Sequence, residues 1–101
     1  MDFTVRWTSL AELTYTEEID FILSKWSNKQ VVDFIELIDD FLEKLLENPY
    51  MGKLSNKRDM HFFVVSKQTT VIYKIYPDFY RIDLLMFHNN KRNHTDILKY
   101  L

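Results

Sequence analysis

The 101-residue sequence contains no cysteine, only one glycine and only two prolines. The absence of cysteine excludes a disulfide framework, a thiolate metal site and a thiol nucleophile. There is no glycine-rich phosphate-binding loop, and no HExxH pattern of a zinc-binding helix is found. What is abundant is apolar material: 47% of the residues are hydrophobic and 16% are aromatic. The chain therefore has enough apolar side chains to fold around a core without metals or crosslinks.

The length and the amino-terminal sequence bound the domain organisation and the expected location. A chain of this size forms one domain, which we take to span residues 1–101. The first residues lack a basic segment followed by an apolar run, and no window approaches 18 uninterrupted apolar residues. We expect a soluble cytoplasmic protein with no membrane segment and no cofactor.

Charge is distributed unevenly along the chain, although the formal net charge is only -2. Residues 1–50 carry 11 acidic and 4 basic side chains, whereas residues 51–101 carry 4 acidic and 9 basic ones. Such segregation either prepares one face for an anionic partner or reflects acidic helices that are simply solvated.

The first half of the sequence predicts one strand and two helices. Residues 3–7 alternate apolar and polar side chains, as in a half-buried strand. Ser9 and Glu12 have the spacing of a capping box, which predicts a helix over residues 9–25. Its expected apolar face is Tyr15, Ile19, Ile22 and Trp26. A second helix follows Ser27 and ends before Pro49, with an apolar face of Val31, Phe34, Ile38, Phe41 and Leu45.

The second half predicts three strands after a polar loop. Residues 60–67, 71–76 and 80–87 are rich in β-branched and aromatic side chains, and the breaks between them are short enough for antiparallel hairpins. The resulting order is β-α-α-β-β-β, an α+β fold in which a helical hairpin packs on a three- or four-stranded antiparallel sheet. Residues 95–101 are compatible with a short helix or a docked tail.

This order resembles the RelE/ParE toxin superfamily of plasmid stabilisation and type II toxin–antitoxin systems. The resemblance rests on four stretches: Val5-Arg6-Trp7-Thr8 leading into Ala11-Glu12; Trp26-Ser27; Asn48-Pro49-Tyr50-Met51-Gly52; and Val64-Val65-Ser66-Lys67 followed by Ile72-Tyr73-Lys74-Ile75. It implies a sheet whose concave face meets a cellular target and an antitoxin that wraps and silences the domain. RelE-like members cleave ribosome-bound mRNA, whereas ParE-like members poison DNA gyrase.

The sequence departs from the family pattern at two places. Where members commonly have an arginine entering the second strand, this chain has His61, with Arg58 close by. Where many relatives end the last strand with an aromatic residue, an arginine and Asn-Pro, this chain shifts the arginine to Arg92 and lacks the proline. These departures, and the near-neutral charge, argue against ribosome-dependent cleavage.

Metal-independent RNA cleavage requires a base, an acid and cations that hold the phosphate. Our catalytic candidates are His61 and His88, which can exchange protons near neutral pH, and Arg81 as a phosphate clamp. The more common role of such histidines is that of ordinary surface or strand-end residues, and Arg81 is equally explained as a partner of Asp83 or of an acidic helix residue. The candidates for binding nucleic acid or another target are Arg58, Lys67, Lys74 and Arg92. No metal ligands are assigned.

Other conspicuous side chains have structural explanations. Tyr73, Tyr76 and Tyr80 could stack on nucleobases, but such residues are more often cross-strand partners. Trp7 and Trp26 are interpreted as core or hairpin anchors. The paired acids Asp39-Asp40 and Glu17-Glu18 splay about 100° apart on helices and are interpreted as solvated.

The functional hypothesis is a toxin neutralised by a cognate antitoxin. It inhibits growth by mRNA cleavage at the ribosome or by inhibition of DNA gyrase; the alternative is a non-catalytic interaction module that retains the fold. A nuclease needs His61, Arg81, His88 and Arg92 to converge on one open face, whereas a gyrase inhibitor needs only a recognition surface. An exposed part of the apolar helix stripe would serve a homodimer or an antitoxin helix equally well.

Overall fold

A computed structural model describes residues 2–55 and 59–91. The elements follow the order β1 (Thr4–Trp7), α1 (Ser9–Lys25), α2 (Asn28–Glu47), β2 (Lys53–Ser55), β3 (Met60–Val64), β4 (Thr69–Tyr76) and β5 (Arg81–Asn89). Short 3-10 turns at Pro49–Met51 and Pro77–Phe79 precede β2 and β5. The segment predicted as a short helix or docked tail, residues 95–101, lies outside the described residues.

The predicted α+β class, with a helical hairpin on a sheet, is confirmed, but the sheet is larger and mixed. Five strands lie in the order β1-β5-β4-β3-β2. β1 pairs with β5 in parallel, and all other neighbours are antiparallel. The expectation of three or four purely antiparallel strands was therefore wrong. The predicted polar loop contains the short strand β2. The two helices carry the chain from β1 at one edge of the sheet to β2 at the other edge, and the chain then returns through β3 and β4 to β5, which lies beside β1 and parallel to it.

Helix α1 is anchored to the sheet at its first turn. Its N-cap is Thr8 rather than the predicted Ser9: the Thr8 hydroxyl accepts a hydrogen bond from the Ala11 amide at 3.1 Å. The same hydroxyl donates to the Leu84 carbonyl of β5 at 2.7 Å. One turn later, Thr14 Oγ1 accepts from the Phe87 amide at 2.9 Å. The chain entering α1 is thus fixed against the central part of β5.

The apolar stripe of α2 forms the core as predicted, with Phe34, Ile38, Phe41 and Leu45 buried. On α1 the prediction was partly wrong. Trp26 is 50% exposed and packs edge-on against Phe21 at the join of the helices. Glu18, expected to be solvated, is buried.

Glu18 is buried because α1 packs closely on the sheet at this point. Its Oε2 accepts a hydrogen bond from Thr69 Oγ1 at 2.6 Å, which compensates part of the cost of removing a carboxylate from water.

The two faces of the sheet have different surroundings. Val71, Tyr73, Ile75, Ile82, Leu84 and Phe87 point toward the helices and join the main core. We call the opposite side the outer face; it carries a second apolar cluster of Met60, Ile72 and Met86, and it also carries Arg6, Lys74, Tyr76, Arg81, Asp83 and His88. A β-bulge at Leu85 shifts the alternation of side chains along β5. Tyr73 pairs with Leu84, whereas Ile72 pairs with Met86, so Leu85 has no partner of its own on β4.

The charge asymmetry of the sequence becomes an asymmetry between layers. Helices α1 and α2 together contain ten acidic and three basic residues, whereas Arg6, Lys74 and Arg81 lie on the outer face of the sheet. The helical layer is therefore strongly acidic, and the cations of the sheet are gathered around Asp83 on the outer face. Neither described helix is both long enough and apolar enough to cross a membrane.

Candidate functional site

Three cations surround one buried carboxylate on the outer face, and we call Arg6, Lys74, Arg81 and Asp83 the cationic cluster. Arg6, Asp83 and Lys74 are register partners across β1, β5 and β4, so they stand side by side. Asp83 is only 2% exposed. With three cations and one carboxylate, the cluster is a positively charged surface built on rigid strands.

Asp83 orients both arginines. Its Oδ2 accepts from Arg6 Nη2 at 2.6 Å, and its Oδ1 accepts from Arg6 Nε at 3.1 Å and from Arg81 Nε at 2.9 Å. The Arg6 side chain nevertheless remains 59% exposed and that of Arg81 31% exposed. The carboxylate holds the planar guanidinium groups in fixed directions while leaving part of each available to a partner.

Aromatic rings complete the cluster. The Arg81 guanidinium carbon lies 4.6 Å from the centroid of the Tyr76 ring and 5.5 Å from that of Phe79. Lys74 Nζ lies 5.3 Å from the same Tyr76 ring. Both distances to Tyr76 are within cation–π range. None of the described residues forms an ion pair with Lys74, although Asp59 and Asp78 line the same shallow cavity as Lys74 and Tyr76.

His61 lies on the other side of the sheet. It is the register partner of Tyr73, and their rings stack with centroids 5.3 Å apart. The edge of Tyr50 covers it at 5.9 Å, leaving His61 only 7% exposed. Its Nδ1 is buried without a hydrogen-bond partner among the described residues. Burial lowers the pKa of His61, and the charge of Asp59 opposes that shift.

Tyr73 is a structural residue of this region. Its hydroxyl donates to the Pro49 carbonyl and accepts from the Gly52 amide, both at 2.9 Å. A β-carbon at Gly52 would lie 2.6 Å from that hydroxyl, which explains why glycine is present there. The interpretation of Tyr73 as a cross-strand partner is confirmed by its pairing with His61, and its buried side chain is not available to stack on a nucleobase.

The environment of His61 predicts a pH-dependent stability. Because its pKa in the folded protein is lowered below the ordinary 6.5, the unfolded chain takes up the proton first as the pH falls. The full contribution is present above about pH 6.5 and is lost as the pH falls below that value toward the folded-state pKa. The test compares urea unfolding of the wild type with that of His61→Phe, which retains an aromatic ring but cannot titrate. Between pH 7 and pH 5 the free energy of unfolding of the wild type should fall relative to that of the variant. A constant difference over this range would contradict the lowered pKa of His61 in the folded protein.

The three candidate catalytic residues do not converge. His61 is on the helix side, whereas Arg81 and His88 are on the outer face. Arg81 and His88 are the register partners of Tyr76 and Thr70 near opposite ends of β4, roughly 20 Å apart along the strand. The geometric requirement of the nuclease hypothesis is therefore not met by these residues, because side-chain alternation places the two histidines on opposite faces.

The four candidate binding residues are separated in the same way. Lys74 belongs to the cationic cluster. Lys67 is exposed in the connection between β3 and β4, where its carbonyl accepts from Asn90 Nδ2 at 3.1 Å. Arg58 and Arg92 lie outside the described residues. Within residues 2–55 and 59–91, no group of three histidine, aspartate or glutamate side chains is arranged to hold a metal ion.

Arg6 is the member of the cluster that sequence reasoning missed. In the sequence it was a polar position of a half-buried strand and part of a family-like stretch, and it was not among the candidate site residues. Its role depends on the parallel pairing of β1 with β5, which brings together residues 77 positions apart. The alternation of residues 3–7 could have indicated that Arg6 points away from the core, but not toward Asp83.

Comparison with known families identifies the chain's relatives. A model of the ParE toxin of the type II toxin–antitoxin system parDE matches residues 5–89. The chain belongs to the ParE toxin family. The matched segment contains β1 to β5 and the whole cationic cluster of this ParE-family chain. A search of curated protein sequences finds no match.

Solved structures share the fold of this ParE-family chain at low sequence identity. A chain of the chromosomal ParDE toxin–antitoxin system from P. aeruginosa has a TM-score of 0.71 at 11% identity, covering 86% of this chain and 95% of that one. The RelBE2 complex from Mycobacterium tuberculosis gives 0.61 at 15% identity, covering 89% and 100%. The isolated E. coli RelE toxin gives 0.62 at 14% identity, covering 96% of each chain. At these identities the likeness shows the fold alone.

Proposed function

We propose that this toxin inhibits growth by binding DNA gyrase through the outer face, without cleaving mRNA, and that a cognate antitoxin neutralises it. The observation that carries the proposal is the cationic cluster, in which Asp83 binds the side chains of both Arg6 and Arg81. This arrangement presents fixed positive charge to a partner. Within the cluster the one carboxylate, Asp83, is occupied by two arginines, so it is poorly suited to act as a free acid or base.

The arrangement of the histidines supports binding over cleavage. Cleavage through a 2′-hydroxyl requires a proton acceptor and a proton donor on opposite sides of one phosphate. His61 and His88 are on different faces of the sheet, and each is almost fully buried. Binding to a target requires only an exposed, rigid surface, and the strands that carry Arg6, Lys74 and Arg81 provide one.

Expression of the chain in a bacterium without its antitoxin distinguishes the mechanisms. We expect growth arrest with induction of the SOS response and no codon-phased ends in mapped mRNA. Purified protein should then inhibit gyrase supercoiling in vitro. Codon-phased cuts would refute the proposal in favour of a ribosome-dependent nuclease, and normal growth with neither signature would refute it in favour of a non-catalytic module.

A further inference from the structure

The connection between β4 and β5, which we call the β4–β5 turn and which spans residues 77–80, carries the most exposed large apolar side chain among the described residues. Phe79 is 69% exposed, and Tyr80 beside it is 42% exposed. Single exposed apolar residues are common on protein surfaces. Two adjacent aromatic rings beside the cationic cluster form a larger patch, which is typical of an interaction site.

The β4–β5 turn holds Phe79 in a fixed position. Tyr80 has a φ of 49°, in the left-handed region that a bulky residue rarely adopts. Its amide donates to the Pro77 carbonyl at 3.2 Å, its carbonyl accepts from the Thr4 amide at 2.9 Å, and its ring packs edge-on against Phe3. Such a backbone conformation persists only where the surrounding structure determines it. Phe79 is therefore presented on rigid backbone, and little conformational entropy is lost when a partner covers it.

Arg81 connects the β4–β5 turn to the cationic cluster. Its guanidinium carbon lies 5.5 Å from the centroid of the Phe79 ring, and its Nε donates to Asp83. Among the described residues, no ion pair or hydrogen bond uses its two terminal nitrogens. These nitrogens can donate to the same partner that covers Phe79. Arginine beside an exposed aromatic ring is the composition favoured at the centres of protein–protein interfaces.

The charges around the β4–β5 turn are mixed rather than uniformly positive. Asp59 and Asp78 line a shallow cavity of about 260 Å³ together with Lys74 and Phe79. With Asp83 they place three carboxylates among the three cations of the cluster. A nucleic acid binds through an excess of lysine and arginine, whereas a protein surface offers charges of both signs. The pattern therefore favours a protein as the partner.

We infer that the β4–β5 turn anchors the contact with gyrase: Phe79 inserts into an apolar pocket of the target, carboxylates at the rim of that pocket accept hydrogen bonds from Arg81, and a basic side chain of the target faces Asp78. This inference rests on the proposed function for the identity of the target, and it adds the chemistry of the surface that is recognised. It assigns to Phe79 a share of the binding energy that salt does not screen.

The anchor is tested by titrating the purified toxin against immobilised purified gyrase at 100 and 500 mM NaCl. We expect Phe79→Ala to weaken binding at least tenfold at both salt concentrations, because it removes an apolar contact. Phe79→Met retains apolar volume without an aromatic face and should bind within about fivefold of the wild type. If Phe79 acted only by positioning Arg81, the loss would shrink at 500 mM NaCl and Phe79→Met would bind as weakly as Phe79→Ala, which would overturn the inference.

Leu13→Ala is the matched control. It truncates an apolar side chain of α1 that is 57% exposed and lies in the helical layer. Its binding to gyrase should stay within about twofold of the wild type. Thermal unfolding verifies that each variant is folded. Because Phe79 is mostly exposed, Phe79→Ala should unfold within about 3 °C of the wild type.

Asp78→Asn separates a protein partner from a polyanion. Loss of this carboxylate should weaken gyrase binding about threefold at 100 mM NaCl, because a basic side chain of the target loses its partner. Unchanged or tighter binding would overturn that part of the inference. The second probe is a labelled single-stranded oligonucleotide, which should bind the toxin far more weakly than gyrase does. Salt-dependent binding of the oligonucleotide as tight as that of gyrase, abolished by Phe79→Ala, would overturn the inference in favour of a nucleic acid.

The same titration distinguishes failure of the anchor from failure of the proposed function. Gyrase binding by the wild type that Phe79→Ala retains in full would overturn the anchor and leave the proposed function in place. Absence of gyrase binding by the wild type would overturn both.

Discussion

Lys74→Ala is expected to raise the concentration needed for half-maximal inhibition of gyrase supercoiling about tenfold, which corresponds to a loss of about 1.4 kcal/mol of binding free energy. Lys74 stands beside Asp83 in the register of β4 and β5, and its ammonium lies 5.3 Å from the centroid of the Tyr76 ring. No described residue forms an ion pair with it, so the substitution removes a charge from the outer face without breaking an internal salt bridge. Loss of potency would therefore report on the target contact rather than on the fold.

Lys29→Ala is the matched control. It removes one exposed lysine from the acidic helical layer, where its partner is Asp33. Because Lys29 is far from the outer face, its substitution should leave inhibition within twofold of the wild type. Equal potency of the two variants would contradict the assignment of the cationic cluster as the target-binding surface. Thermal unfolding of both proteins verifies that the comparison is made between folded chains.

The helices were predictable because their signals are local. The apolar residues of α2 recur every three or four positions, and four of the five predicted core positions are fully buried. Pro49 ends that helix within a residue of the predicted boundary. The N-cap of α1 differs by one residue, because Thr8 also bonds to β5 and thereby gains a second partner that Ser9 lacks.

The arrangement of the sheet was less predictable, because it depends on contacts between distant segments. β2 has three residues, too few for a recognisable alternation, and its pairing with β3 alone defines it as a strand. The parallel pairing of β1 with β5 likewise has no local signature. The position of Arg6 beside Asp83 follows from that pairing. The ion pair at the centre of the candidate site therefore depends on a contact between distant strands, which local sequence patterns do not reveal.

Buried polar residues show the same limit. Glu18 has the sequence context of a solvated helix acid, yet it faces Thr69 beneath the helix. His61 has the context of a reactive strand-end histidine, yet alternation along β3 directs it toward Tyr73 and away from Arg81. Residue type and position along the chain indicated what chemistry was available. The face on which each residue lies decided which groups could act together.

Asp83→Asn should lower the free energy of unfolding by about 1–3 kcal/mol, the cost expected for weakening charge-assisted hydrogen bonds around a buried carboxylate. The amide is nearly isosteric but neutral, and only one of its two terminal atoms is a hydrogen-bond acceptor. Both arginines thereby lose their counter-charge. The loss of unfolding free energy should be smaller than for breaking a fully buried ion pair, because the side chains of Arg6 and Arg81 are partly exposed and can be hydrated by water. Urea unfolding at low salt measures the effect.

The matched substitution is Asp33→Asn, which neutralises the acidic partner of an exposed salt bridge to Lys29. It should cost no more than about 0.5 kcal/mol, because water already screens that pair. A destabilisation by Asp83→Asn as small as that of the control would show that Asp83 does not hold the arginines in place. A large destabilisation accompanied by weaker gyrase inhibition, measured below the unfolding transition, would instead connect the two roles of the carboxylate. The surface that binds the target would then depend on the same buried group that joins β1 to β5.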